Sequence, residues 1–77
     1  MAKKTRKELL ERYDFVGNFH EGLAQVKKAH KWFHIRPNGT PAYEQRYDFA
    51  GSFFEGLAYV RKGDKWFYIR PDGTAVN

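Results

Sequence analysis

Apolar and polar residues alternate in short runs along this chain, and glycine, proline, asparagine or aspartate breaks each run after a few positions. A period of two with frequent breaks predicts short strands joined by tight turns. The clearest case is Leu57 to Lys62 and Lys65 to Arg70, which flank Gly63-Asp64. Glycine at the first turn position and aspartate at the second suit a two-residue type II′ hairpin. That register sets Val60 opposite Phe67, Ala58 opposite Ile69, Tyr59 opposite Tyr68 and Arg61 opposite Trp66. Ala58, Val60, Phe67 and Ile69 then share one face, and Leu57, Tyr59, Trp66, Tyr68 and the stem of Arg61 share the other. A second turn, Arg70-Pro71-Asp72-Gly73, reads as type I with a glycine bulge and predicts a third strand near Thr74 to Val76.

The whole pattern occurs twice. Arg12 to Thr40 aligns with Arg46 to Thr74 at an offset of about 34 residues without a gap, and about two thirds of the aligned positions are identical, within the period range of repeat proteins. The first copy has its wide turn at Arg36-Pro37-Asn38-Gly39, with Thr40 to Tyr43 as its third strand. Its tight turn is Ala29-His30, a poorer fit than Gly-Asp, which predicts a looser loop. Gly17, Gly22, Gly51 and Gly56 are expected to allow a bend or a positive φ where the chain enters each hairpin. Phe15, Phe19, Phe49 and Phe53 are expected to anchor the core beneath that connection. Glu21 and Glu55 are expected to hold backbone or a basic neighbour in the same way in both copies.

Ahead of the repeats, Thr5-Arg6-Lys7-Glu8 fits a capping box, and Leu9, Leu10 and Tyr13 can form one apolar edge. A helix from about Arg6 to Arg12 follows, too short to be stable alone. The fold class is therefore mainly β: two tandem antiparallel β-hairpin or meander repeats with a short N-terminal α-helix. Residues 1–12 form a basic helical cap, 13–46 the first repeat and 47–77 the second, all in one compact domain.

These residues carry a resemblance. Phe19 to Val26, Lys31-Trp32, Ile35 and Gly39 are matched by Phe53 to Val60, Lys65-Trp66, Ile69 and Gly73. On them the chain resembles the WG-repeat family, found widely in bacterial proteins, over nearly everything after about Tyr13. The family's glycine after tryptophan is replaced by Phe33 and Phe67, which implies a different neighbour, either a wider core or a subunit contact. The resemblance implies β-hairpin repeats and an interaction role, and it transfers no site residues. Its repeat-defining positions here are Phe19, Gly22, Leu23 and Gly39, with Phe53, Gly56, Leu57 and Gly73. Lys65 to Ile69 is also similar to the aromatic hairpins of choline-binding repeats, which have a shorter period and are exported.

Composition narrows the chemistry. With no cysteine in 77 residues, thiolate metal sites and cysteine nucleophiles are absent from the sequence. His30 and His34 have helix-like spacing but fall on a turn and a strand, so they are expected to be surface or half-buried histidines rather than metal ligands. Ser52, the single serine, is matched by Asn18 and has no base beside it. A non-enzyme without cofactor is expected. No apolar h-region or membrane-length apolar run occurs, so a cytoplasmic protein with no membrane contact is expected. The net charge of +5 permits contact with nucleic acid, an anionic membrane or an acidic partner, and it also fits a solubilising surface with a basic tail.

The second face is the candidate interaction surface: Tyr59, Trp66 and Tyr68, with Gln25, Trp32 and His34 at the matching positions of the first copy. Two short repeats and an unpaired sheet edge predict self-association, most simply a symmetric dimer, together with an unknown protein partner. The first alternative is nucleic-acid binding, with aromatic residues interleaved among Lys27, Lys28, Lys31, Arg61, Lys62, Lys65 and Arg70. Against it, Trp32 and Trp66 are read as buried repeat anchors. The second alternative is a small ligand held in an aromatic cage.

Overall fold

The capping sequence opens a helix where expected. The structure, a computed structural model that describes residues 3–76, has α1 at Arg6–Arg12. Met1, Ala2 and Asn77, which the expected units include, lie outside the described residues. The Thr5 hydroxyl accepts from the Glu8 amide and the Glu8 carboxylate accepts from the Thr5 amide, completing the capping box. Those bonds hold the Glu8 carboxyl below its usual pKa. Leu9 and Tyr13 are buried, whereas Leu10, expected on the same edge, is exposed. Two turns of helix offer one inward stripe, and Leu9 and Tyr13 fill it.

Seven strands follow among the described residues: β1 Phe15–His20, β2 Leu23–Lys28, β3 Lys31–Ile35, β4 Phe49–Ala50, β5 Ala58–Lys62, β6 Lys65–Ile69 and β7 Ala75–Val76. They form two antiparallel meanders, β1-β2-β3 and β4-β5-β6-β7. The register of β5 with β6 is the one that the Gly63-Asp64 turn predicts, with Tyr59 opposite Tyr68 and Arg61 opposite Trp66. Gly63 has φ 63°, as the first position of that turn requires.

The Ala29-His30 loop is not looser. Lys28 pairs with Lys31, so the turn again has two central residues, and both are left-handed at φ 52° and 69°. Five cross-strand pairs from Ala24–Ile35 to Lys28–Lys31 fix that span, and the backbone of two residues ill-suited to it gives way. The Asp14 carboxylate steadies the turn by accepting from the Ala29 amide. The third strand expected at Thr40 to Tyr43 is reduced to a bridge between Ile35 and Pro41 and a bond from the Ala42 amide to the His34 carbonyl. Pro41 has no N–H to extend the ladder.

The core lies on the expected face, with Ala24, Val26, Ile35, Ala58, Val60 and Ile69 buried. Phe33 and Phe67 turn inward as well. Each meets, edge-on, the tyrosine that opens its own repeat: Tyr13 at 5.8 Å and Tyr47 at 5.9 Å between ring centroids. The Arg46 guanidinium also covers Phe33 at 3.8 Å. The phenylalanines that replace the family's glycine thus widen the core within the chain.

One segment belongs to both meanders. Tyr47 exchanges two backbone hydrogen bonds with Trp32 of β3, at 2.8 and 2.9 Å. The next residues pair with β5 instead, through Phe49–Arg61 and Ala50–Val60. Over Gly73 lies Tyr43, whose Cβ would stand 2.7 Å from an added Cβ; over Gly39 lies Leu9 of α1. Leu9 and Tyr43 are one repeat apart, so α1 covers the first repeat as residues 40–46 cover the second. Among the described residues no helix is long and apolar enough to cross a membrane.

Candidate interaction face

The strand alternation that sends Val26 and Phe33 inward sends Gln25, Trp32 and His34 to the opposite face. In the first repeat this face is covered by the second repeat. The Gln25 side-chain amide donates to the Ala50 carbonyl at 3.0 Å, and its oxygen accepts from the Ser52 hydroxyl. Trp32 meets Phe49 with centroids 5.4 Å apart. His34 meets Phe53 at 4.5 Å. At the rim, the Lys31 ammonium bonds the Asp48 carboxylate at 2.7 Å and lowers its pKa.

His34 is not the surface or half-buried histidine expected from the sequence; its exposure is 0%. Both ring nitrogens are used, Nε2 on the Gly51 carbonyl at 2.7 Å and Nδ1 on the Tyr43 hydroxyl at 2.6 Å. A carbonyl can only accept, so Nε2 carries the proton and Nδ1 accepts from Tyr43. Burial pushes the imidazole pKa down to about 4. The Tyr43 hydroxyl is pushed up by the same cause.

The matching residues of the second repeat form a surface. Tyr59 is 42% exposed, and Trp66 and Tyr68 are each 49% exposed. Tyr59 stacks on Trp66 at 5.0 Å and 25°, and meets Tyr68 at 4.9 Å. Trp66 is thus not a buried anchor, and Trp32 is only half-buried. The aromatic row continues across the molecule through Phe49, Trp32 and Phe15, with neighbouring centroids 5.4 to 6.0 Å apart. Lys27 lies over Trp32 and Arg61 over Trp66, so a cation recurs with each tryptophan.

Four phenylalanines expected as core anchors divide. Phe53 is buried at 2% and Phe49 is half-buried, whereas Phe15 and Phe19 are exposed at 45% and 39%. The pocket that receives Phe53 is built by His34 of the preceding repeat, whereas ahead of Phe19 the described residues hold α1 instead. Among the structural positions, Leu23, Gly39 and Gly73 are buried and Leu57 is half-buried. Gly22 and Gly56 are exposed, with φ 85° and 83°. Gly17 and Gly51 have no positive φ; a Cβ at Gly17 would stand 2.9 Å from Gln25 Cγ, so close approach is what requires it.

Glu21 accepts from the amides of Glu55 and Gly56, holding the second repeat's turn. Glu55 makes no matching bond among the described residues, because the bond reaches forward into the next copy.

The helix satisfies backbone groups at the leading edge of the array. In the second repeat the carbonyls of Ala50 and Gly51 are bonded by Gln25 and His34. One repeat earlier, the carbonyls of Val16 and Gly17 are bonded by the Arg6 guanidinium at 2.6 and 3.3 Å. The amide of Tyr47 donates to Trp32, whereas that of Tyr13 donates to Leu9 of α1. Leu9, expected on the apolar edge of the helical cap, and Arg6, which the sequence did not single out, supply what a preceding repeat would. Their signal for that role is position, since they stand one repeat ahead of Thr40 and Tyr43.

No curated protein and no solved structure matches the chain. A family model described as WG containing repeat matches residues 3–32 and again residues 35–66. The two matches begin ahead of each hairpin, at residue 3 just before α1 and at Ile35, the last residue of β3, so they take in α1 and the segment that replaces it over the second repeat, and together they span most of the sequence. With two such units joined face to edge through Trp32 and Phe49, the chain belongs to the WG-repeat family.

Proposed function

We propose that this chain is a non-catalytic repeat module that joins proteins, its own copies first among them, through the aromatic face of its second repeat. One observation carries the reading. Gln25, Trp32 and His34 make the joint between repeats, and their counterparts Tyr59, Trp66 and Tyr68 stand exposed in a stacked row. Three neighbouring rings in water are a binding surface in search of a cover, since large aromatic side chains supply most of the energy at protein interfaces. A cytoplasmic setting is part of the proposal and accords with the absence of cysteine.

The solution mass tests it, measured by light scattering after gel filtration at low and high salt. A salt-resistant oligomer that Trp66→Ala dissociates is the expected result. A monomer at every concentration and salt would speak against self-association.

A second reading is favoured by one feature, the cations over Trp32 and Trp66 along the aromatic row. Single-stranded nucleic acid could stack there while the cations meet phosphates. A gel shift that weakens with salt would support it, and no shift at low salt would remove it. For the small-ligand reading the geometry is less suitable, because rings in a row make a platform rather than the enclosing walls of a cage.

A further inference from the structure

We infer that copies of this chain associate head to tail: the Tyr59–Trp66–Tyr68 face of one copy receives the Asp14–Phe15–Phe19 edge of the next. This deepens the self-association proposed above and rests on it. The joint inside the molecule is the template. There, Trp32 receives Phe49, His34 receives Phe53, and Lys31 bonds Asp48 at 2.7 Å. One repeat further on, the receiving residues are Trp66, Tyr68 and Lys65, all exposed. One repeat earlier, the entering residues are Phe15, Phe19 and Asp14, also exposed. Both halves of a second such joint are thus displayed on opposite repeats of one chain.

The charges agree. Asp48 uses one carboxylate oxygen on the Gly63 amide and the other on Lys31. Asp14 likewise uses one oxygen on the Ala29 amide, and among the described residues no lysine takes the other. Lys65, the counterpart of Lys31, has no ion pair among the described residues. Joining head to tail brings Lys65 to Asp14. Joining face to face, as in a symmetric dimer, would instead set each Arg61 against a partner face of Tyr59, Trp66 and Tyr68 that carries no carboxylate, and would leave Lys65 apart from Asp14.

The polar groups agree as well. In the internal joint, Gln25 and His34 bond the carbonyls of Ala50 and Gly51. At the leading edge Arg6 already satisfies the carbonyls of Val16 and Gly17. The receiving face correspondingly has Tyr59 and Tyr68 where Gln25 and His34 stood. Those flat rings suit a surface whose carbonyls are taken and on which a guanidinium lies exposed. A heterologous joint of this kind builds rings or open chains rather than a closed pair.

Complementation between two damaged copies tests the direction of assembly. Trp66→Ala removes the receiving face and leaves the leading edge; Phe15→Ala does the reverse. Both residues are half exposed, and circular dichroism and thermal melting check that each variant folds. Lys65→Glu and Phe19→Ser serve as a second pair. Each variant alone should need more than about tenfold higher concentration to associate. An equimolar mixture of Trp66→Ala and Phe15→Ala should form a complex of two chains and stop there, whereas the unaltered chain grows further. If Trp66→Ala dissociates the oligomer while Phe15→Ala and Phe19→Ser do not, the head-to-tail inference is overturned and the broader reading of the face survives. If the unaltered chain never associates, head-to-tail joining and self-association are overturned together.

Discussion

Acid should loosen this fold through one residue, His34. Its imidazole lies against Tyr43 and Phe53, and burial pushes its pKa down to about 4, from 6.5 for an unperturbed histidine. Between those values the unfolded chain takes up a proton that the folded chain refuses. Stability therefore rises with pH through this window and is lost as the pH falls from 6.5 towards 4. From about pH 7.5 to about pH 5 the loss is about 2 kcal/mol, approaching about 3 kcal/mol below both values. In a domain of this size, 2 kcal/mol lowers Tm by about 8–16 °C. Urea unfolding followed by circular dichroism at four pH values measures the slope. His34→Gln is the control, since its amide can still donate to Gly51 but cannot titrate. The carboxyls of Asp48 and Asp72 are held low by Lys31 and Thr74 and titrate beneath the window, alike in both proteins. If the original and His34→Gln lose stability in parallel between pH 7.5 and 5, the buried imidazole is not the cause and the reasoning fails.

Two comparisons follow, one between glycines of similar φ and one between equivalent sites of the two repeats. Gly73→Ala should cost about 3 kcal/mol or more, because φ is 89° and the added carbon meets Tyr43 at 2.7 Å; Gly22→Ala, with φ 85° but open space, should cost about 1 kcal/mol in the same urea assay. Phe53→Ala should cost about 3–5 kcal/mol and Phe19→Ala about 1 kcal/mol or less, although the two stand at the same position of the repeat. Equal losses at Phe19 and Phe53 would mean that the preceding repeat does not build the pocket.

Much of the fold was legible because the strongest local signals agreed with the period. Gly63-Asp64 set the β5–β6 register, the capping box set α1, and the duplicated Arg-Pro-x-Gly turns set where the third segment begins. The period outweighed local preference at Ala29-His30, where poor turn residues still adopt the two-residue turn of the other copy. What the sequence concealed is the difference between copies. Phe19 and Phe53 read alike, yet one is exposed and the other buried, since burial depends on which repeat stands before it. The face itself was legible from strand alternation, but its two halves were not told apart. A signal was present: where the second copy has Tyr59 and Tyr68, the first has Gln25 and His34. Residues with directed hydrogen bonds at those positions mark the half that is covered by backbone carbonyls. Arg6 gave no comparable hint, because it stands ahead of the aligned copies, which begin at Arg12, and so had no counterpart to be compared with.

The segment from Tyr47 to Ala50 has a consequence for how such a protein is inherited and how it folds. The stretch that was copied is one hairpin unit, but the stretch that can hold itself together is not. Tyr47 closes the ladder of the first meander, while Phe49 and Ala50 open that of the second. A cut on either side of these residues strands half of their hydrogen bonds and uncovers His34. The two meanders should accordingly melt in a single cooperative step, with their slowest-exchanging amides at the seam rather than at the centre of either hairpin. Duplication supplied the parts, and the stable object came into being only at the join between them.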